Sequence, residues 1–279
     1  MPDGPQGVDG ALVAVAHGSA DPRAAAAIAD LVPLVAARAA ARGLNVPELR
    51  VAYLGHAAPS LPQVMRSCRP DAPVTVLPLL LTAAYHSKTD IPRVLARAGA
   101  GMRITYGDPL GPHPLLLRAL ERRLPEVALE NPAEVGVVLA AAGSSDPAAN
   151  ATIARLAAQW QAGTGWFAVR PAYASAAGPD PATAVTGLLE AGARRVVVAS
   201  YLLAPGLFAD RIRDASLAAG AAAVSPALLS WPPAAAGLSW PPAAAGLSWP
   251  PAAGGGAPEV ADVVLDRYRT AGTQRRTAA

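Results

Sequence analysis

An internal repeat limits the possible folds of this chain more than any other feature of its sequence. Three pairs of segments match in order and in residue type: residues 12–31 with 135–156, residues 50–65 with 170–185, and residues 73–92 with 194–212. One α/β unit of roughly 125 residues, close to the usual size of a domain, has therefore been duplicated.

Within each copy, short β-branched runs alternate with longer Ala/Leu/Arg stretches that have helical spacing. In the first copy we predict strands at 12–16, 49–54, 74–81 and 102–107, and helices at about 21–42, 59–68, 90–98 and 113–124. Strands that alternate with helices indicate βαβ units and a parallel sheet. The predicted fold is therefore α/β, with two similar three-layer domains, each built on a small parallel sheet of about four strands flanked by helices.

The turn into the first helix has the same residue types in both copies. Asp21 and Asp146 each precede a proline, which is typical of an N-cap followed by the first helical residue. Gly18 and Gly143 allow the sharp turn between strand and helix.

We predict a disordered N-terminus at 1–10, a first domain at 11–127, a linker at 128–134 and a second domain at 135–279. Three copies of a Leu-Ser-Trp-Pro-Pro-Ala-Ala motif lie within residues 229–256, which we interpret as a low-complexity insertion. A tolerated repeat expansion explains it more simply than a docking site for a partner protein. The helix after it, at 257–269, is expected to complete the second domain.

The composition excludes several functions. The net charge is +3 and no stripe of basic and aromatic residues is present, so we expect no nucleic-acid partner. Cys68 is the one cysteine, which excludes an intramolecular disulfide, and we expect a buried or partly buried thiol at a helix end. The longest apolar runs, at 74–84 and 196–209, are too short and too interrupted by proline to cross a bilayer, so we expect a cytoplasmic protein without a membrane partner.

The first copy contains all the histidines of the chain, and each of them follows a predicted strand: His17, His56, His86 and His113. Ligands of open parallel sheets bind beyond these strand ends. The second copy has Ala142 and Phe208 at the positions of His17 and His86, so packing alone does not require the two imidazoles. Imidazole binds divalent transition metals and exchanges protons near neutral pH.

Other motifs give weaker indications. The chain has no GxGxxG and no GxxxxGK[ST], so it has no recognisable dinucleotide or P-loop site, and Ser19 lacks the GxSxG of a nucleophile elbow. We interpret Asp90 as the cap of the third helix, with a proton acceptor near the site as the alternative. His113 is interpreted as a residue at a helix start.

Three segments together resemble the class II chelatases that act on sirohydrochlorin: AHGSADP (16–22), LLLTAAYHSKTDIP (79–92) and GDPLGPHPLL (107–116). The resemblance implies two α/β domains that face each other across a cleft. It implies insertion of Fe²⁺ for sirohaem synthesis, or of Co²⁺ for cobalamin synthesis, with the metal as substrate and no organic cofactor. His17 and His86 would be the catalytic and metal-binding residues.

One departure from that family concerns the segment after the second strand, where the family usually has an acidic residue. This chain has Gly55 followed by His56 there, so His56 is a candidate third metal ligand and Asp90 a candidate replacement for the carboxylate. The alternatives are a metal- or tetrapyrrole-binding protein without catalysis, or a scaffold that docks a partner through residues 229–256. Because one duplicated chain supplies both domains, we expect a monomer.

Overall fold

The computed structural model describes residues 10–124, 131–229 and 257–277. They form two four-stranded parallel sheets with the same strand order, β2-β1-β3-β4 and β6-β5-β7-β8. The strands are β1 (Ala11–Ala16), β2 (Leu49–Tyr53), β3 (Val74–Pro78), β4 (Ile104–Tyr106), β5 (Val135–Ala141), β6 (Ala168–Tyr173), β7 (Arg195–Tyr201) and β8 (Ala223–Val224). The predicted duplication and the α/β fold with two parallel sheets are confirmed.

Helices flank both sheets. They are α1 (Pro22–Ala41), α2 (Leu61–Ser67), α3 (Ile91–Ala98), α4 (Pro114–Glu121), α5 (Pro147–Ala162), α6 (Pro181–Glu190), α7 (Leu207–Ala218) and α8 (Pro258–Thr277). A π turn, His86–Asp90, leads into α3, and a short 3₁₀ helix, Pro132–Glu134, precedes β5. The expected disordered N-terminus (apart from residue 10), residues 128–130 of the linker and nearly all of the 229–256 insertion lie outside the described residues.

The predicted helix caps are present in both copies. Asp21 accepts a hydrogen bond of 2.9 Å from the backbone N–H of Arg23, and Asp146 accepts one of 2.9 Å from Ala148. Cys68 is buried at the C-terminal end of α2, as predicted.

The chain divides into two compact units whose boundaries differ from the predicted domains. Unit 1 contains the described residues up to His113 together with those from Pro258 onward, and unit 2 runs from Pro114 to Ala257. Helix α4, expected in the first domain, therefore belongs to unit 2. Helix α8, expected to complete the second domain, belongs to unit 1.

Helix α8 joins unit 1 because its apolar residues pack against α1, β3 and β4. Five of these residues have no exposed surface: Val260, Ala261, Val263, Val264 and Leu265. Asp262 lies between two cations at the C-terminal end of α1, at 2.7 Å from Nη2 of Arg38 and 2.7 Å from Nη2 of the C-cap residue Arg42. Arg267 adds hydrogen bonds of 3.1 Å to two backbone carbonyls, those of Leu110 and Pro112.

Helix α4 is held in unit 2 by equally specific contacts. Leu116 and Leu120 are fully buried, and the helix contacts β7. The indole N–H of Trp160 donates to Glu121 at 2.7 Å, and the buried guanidinium of Arg123 donates to the carbonyl of Leu228 at 2.6 Å. Specific side-chain partners therefore determine the unit in which α4 and α8 each pack, and helical periodicity does not specify these partners.

Helix α1 is the one helix in the described part of the chain whose length and composition would suffice to cross a membrane. In unit 1 it buries one face along its whole length: Ala24, Ala27, Ile28, Leu31, Val35 and Ala39. Its C-terminal arginines pair with Asp262 of α8. A core helix shows this burial pattern, so length and composition are weak support for a membrane span.

Candidate functional site

The site begins where the strand order of unit 1 reverses. The chain passes from β1 to β2 on one side and then to β3 on the other, which leaves a switch point between β1 and β3. Open α/β sheets bind ligands at such a point, beyond the carboxyl ends of the strands. His17 directly follows β1, and His86 lies on the connection that follows β3.

The structure brings His17 and His86 together. Their ring centroids are 4.5 Å apart, with the ring planes at 74°. His17 is exposed and His86 is half-buried, so the two imidazoles meet at an open surface of unit 1. Such a pair can share a metal ion or move protons at one place.

Asp90 orients the His86 ring. Its Oδ2 lies 2.6 Å from Nδ1 of His86, one turn back along the π turn. A carboxylate can only accept here, so Nδ1 carries the proton and Nε2 presents its lone pair to a ligand. Metal-binding histidines commonly have such a carboxylate on the other ring nitrogen.

The predicted capping role of Asp90 is wrong. Its side chain makes no cap hydrogen bond, and its backbone is already helical, with φ −70° and ψ −50°. The π turn runs directly into α3, and Ile91 donates its N–H to the carbonyl of His86. Because this backbone group already has a partner, the carboxylate is available to the imidazole instead.

Two residues that the sequence analysis did not single out hold the loop that carries His86. The buried Ser87 hydroxyl accepts from the N–H of Ala84 at 3.2 Å and donates to its carbonyl at 3.0 Å. The Tyr106 hydroxyl donates to the carbonyl of Ser87 at 2.7 Å. Burial raises the pKa of Tyr106, so the phenol keeps the proton that this bond needs.

The His17 turn depends on close backbone contact. Gly18 has φ +89°, and a Cβ there would lie 1.7 Å from the carbonyl oxygen of Gly55. The N–H of Gly55 donates to the carbonyl of His17 at 3.1 Å. Nδ1 of His17 lies 3.1 Å from the carbonyl of Gly18, which places the proton on Nδ1 and leaves Nε2 as the donor atom for a metal.

His56 is near the pair without completing a three-ligand site. Its ring centroid is 6.5 Å from that of His17, and its backbone is left-handed, with φ +61°. Among residues 10–124, 131–229 and 257–277, no three His, Cys, Asp or Glu side chains are placed to hold one metal ion. Gly55, the residue before His56, stands where the resemblance implies an acidic side chain. A Cβ at Gly55 would meet nothing within 4 Å.

His113 is engaged elsewhere in unit 1. Its Nε2 lies 3.9 Å from Asp266 of α8, and burial together with the nearby Arg267 guanidinium lowers its pKa. No ring contact joins it to the other three histidines, within the part of the chain that the structure describes.

Unit 2 repeats the same turns without imidazoles. Gly143 has φ +84°, and a Cβ there would lie 1.9 Å from the carbonyl of Ser175, as at Gly18. Ala176 has φ +60° and corresponds to His56. Ala142 takes the position of His17. The backbone geometry therefore belongs to the scaffold, and the histidines are an addition that the scaffold does not need.

Comparisons with known proteins agree with this organisation. The model of the CbiX family matches residues 11–127 and 136–228. A sirohydrochlorin ferrochelatase of Priestia megaterium is 28% identical over 179 residues, which cover 62% of this chain and 67% of that protein. A sirohydrochlorin cobaltochelatase of the same organism is 29% identical over 170 residues, covering 58% of this chain and 56% of that protein.

Solved structures share the fold. SirB from Bacillus subtilis with Fe³⁺ has a TM-score of 0.69 and 23% identity, over 95% of this chain and 96% of that one. CbiX, described as the terminal enzyme of sirohaem biosynthesis in denitrifying bacteria, has a TM-score of 0.54 and 24% identity, over 80% of this chain and 93% of that one. At these identities the similarity establishes the fold alone.

Proposed function

Because this chain belongs to the CbiX family, we propose that it inserts a divalent metal ion into sirohydrochlorin, with release of two protons. The observation that carries the proposal is the His17–His86 pair, with its rings 4.5 Å apart at the switch point of the sheet. We propose Fe²⁺ as the metal, which would serve sirohaem synthesis, and Co²⁺ as the alternative. Relatives named for either metal match at nearly the same identity, and imidazole binds both ions.

The proposed reaction needs a ligand and a base at one place. The centre of the free macrocycle holds two pyrrole N–H protons, and the incoming ion must shed water before it enters. Two neutral imidazoles can hold the ion transiently, because an incomplete ligand set lets the ion leave. An imidazole nitrogen is also a base, so the same groups can take up the pyrrole protons.

Their surroundings divide the two roles. When Nε2 of His86 takes up a pyrrole proton, the cation that forms is paired with Asp90 at 2.6 Å, which favours His86 as the base. Among the described residues, Nδ1 of His17 is paired with a backbone carbonyl and not with a carboxylate, which favours His17 as the ligand that delivers the ion. His56, 6.5 Å from His17, is proposed as an auxiliary ligand that approaches when the ion binds.

The test is metal insertion by the purified chain. Sirohydrochlorin is mixed with Fe²⁺ under anaerobic conditions, or with Co²⁺, and metallation is followed by absorbance. We expect the protein to accelerate metallation over the spontaneous rate, with a higher kcat/KM for Fe²⁺. If the protein accelerates metallation with neither Fe²⁺ nor Co²⁺ over the rate in buffer, the proposal is wrong. A higher kcat/KM for Co²⁺ than for Fe²⁺ would favour the alternative metal.

A second candidate function is metal binding without turnover, and the absence of a carboxylate at Gly55 favours it. This function predicts stoichiometric Co²⁺ binding that requires both His17 and His86, together with no metallation of the macrocycle. Equilibrium dialysis beside the absorbance assay separates the two functions. We further propose that the chain acts as a cytoplasmic monomer, because it carries both units itself.

Asp90→Asn is expected to lower kcat and to weaken Co²⁺ binding by about 10- to 100-fold, the usual loss when the outer partner of a ligating histidine is removed. An amide can still accept the Nδ1 proton, but it no longer stabilises the imidazolium. The protonated ring should therefore lose its proton at lower pH, so the rise of kcat that reports the free base should move to lower pH, which a pH profile of kcat measures. Asp21→Asn, at a carboxylate that caps α1, is the matched control. An unchanged pH profile in Asp90→Asn would show that the carboxylate does not act through His86.

A further inference from the structure

A groove opens in unit 1 between helix α1 and β2, which is an edge strand of the first sheet. Its lining includes Ala26, Ala29 and Val32 of α1, Val51 and Tyr53 of β2, and the loop at 58–59. Its volume is about 430 Å³, which is within the usual range of small-molecule sites. None of the residues that line the groove carries a charge.

One polar side chain in this lining lacks a partner within the protein. Tyr53 is only 5% exposed, and its hydroxyl makes no hydrogen bond with any residue that the structure describes. Burial raises the pKa of Tyr53, so the phenol keeps its proton and can donate it. A buried hydroxyl without a partner costs free energy. Because Tyr53 lines the groove, the missing partner has to come from the groove.

The matching tyrosine of the second copy has its partner. Tyr173 ends β6 as Tyr53 ends β2, and its hydroxyl donates to the backbone carbonyl of Asn150 at 2.8 Å. The side chain of Asn150 is held in turn by two hydrogen bonds to the backbone of Ser144, at 3.0 and 2.7 Å. The first copy has Ala25 at the position of Asn150. The unpartnered hydroxyl is therefore a property of unit 1 and not of the shared scaffold.

We propose that this groove, here called the α1–β2 groove, binds a small uncharged molecule that combines an apolar ring with a carbonyl oxygen. The alanine and valine side chains pack against the ring, and the Tyr53 hydroxyl donates to the carbonyl. A charged ligand would lose its water there without gaining an opposite charge, which disfavours carboxylates and ammonium groups. The ligand is therefore a molecule other than the polycarboxylate of the proposed reaction, and the inference goes beyond that function.

The test is binding of acetophenone, a neutral aryl ketone, to the full chain, measured by the shifts of backbone amide signals in NMR spectra. We expect saturable shifts at the residues that line the groove. Tyr53→Phe should raise Kd by about two- to tenfold, the usual contribution of one neutral hydrogen bond. Tyr173→Phe is the matched variant in unit 2 and should leave Kd unchanged. Benzoate keeps the ring but is charged, and it should bind about tenfold more weakly or less.

A second pair of variants tests the groove itself. Ala29→Leu should fill the groove and abolish binding of acetophenone, whereas Ala36→Leu, on the same helix but outside the lining, should bind like the wild type. Both alanines are exposed, so neither variant should change the unfolding midpoint, which excludes misfolding as the cause.

Three results would overturn the inference. The first is the absence of saturable acetophenone binding to the wild type, and the second is a Kd that neither Tyr53→Phe nor Ala29→Leu changes. The third is a wild-type dimer that dissociates in Ala29→Leu, seen by sedimentation, which would assign the groove to a second copy of the chain. None of these measurements depends on metal insertion, so the inference and the proposed function can fail separately.

Discussion

His17→Ala and His86→Ala are each expected to lower kcat for metal insertion by about 100-fold or more, the usual range for loss of a general base or of an essential ligand. The reason is that the two rings, 4.5 Å apart, act on the same ion and the same pyrrole protons. Single-turnover absorbance measurements at saturating metal would separate this loss from weaker binding of the substrate.

The repeat supplies the control for stability. Ala142 occupies the position of His17 in unit 2, in the same turn and with the same glycine after it. Alanine is therefore compatible with this turn, and His17→Ala should unfold at the denaturant concentration of the wild type. Because both imidazoles serve one step, the double variant should lose little more activity than the more damaged single variant. Wild-type rates in both single variants would contradict the proposed site.

Gly18→Ala is expected to lower the free energy of unfolding by about 3–5 kcal/mol, at the upper end of single-residue effects. Its Cβ would lie 1.7 Å from the carbonyl oxygen of Gly55, and φ is +89°, so the loops after β1 and β2 would have to separate. Denaturant unfolding followed by circular dichroism measures the loss.

Gly43→Ala is the matched control, because this glycine also has a positive φ, +61°, but its Cβ would meet nothing within 4 Å. Backbone strain alone should cost about 1 kcal/mol there. Gly143→Ala should resemble Gly18→Ala, since its Cβ would lie 1.9 Å from the carbonyl of Ser175, and it lies in a unit that has no histidine. Equal losses at Gly18 and Gly43 would show that the close backbone contact does not matter.

Much of this architecture follows from local patterns in the sequence. The alternation of apolar runs and helical stretches predicts both sheets, and the Asp-Pro pairs predict the caps at Asp21 and Asp146. Histidines after neighbouring strands predict that His17 and His86 converge. These predictions succeed because they depend on residues close in the chain, or on the general geometry of parallel sheets.

The π turn of the first copy contains one residue more than the matching segment of the second copy, and a comparison of the two copies shows this. From Tyr85 to the buried Ile91 the first copy takes six positions (91 − 85), whereas from Leu207 to the buried Ile212 the second copy takes five (212 − 207). The second copy has no π turn there, and α7 starts directly at Leu207. One added residue in a helix is the usual origin of such a turn, often at a functional site. The spacing of His86 and Asp90, four apart, was the signal that their side chains meet.

The membership of α4 and α8 could not be predicted in this way. Both helices have an apolar face that needs a sheet, and periodicity does not say which of two nearly equivalent sheets it covers. The choice depends on specific partners far apart in the chain, such as Asp262 with Arg38 and Glu121 with Trp160.

This exchange of helices has a consequence for the history of the chain. The second copy has no imidazoles, yet it cannot be discarded, because the segment that follows it supplies the helix that packs beside β3 and β4 of the histidine-bearing sheet. A gene shortened to the first copy would encode a sheet that lacks the helix α8 on one face. It would also encode helix α4 without the sheet against which its apolar face packs. Both copies are therefore needed for either sheet to be covered. In the copy without histidines, substitutions are tolerated only on surfaces that the exchanged helices do not cover.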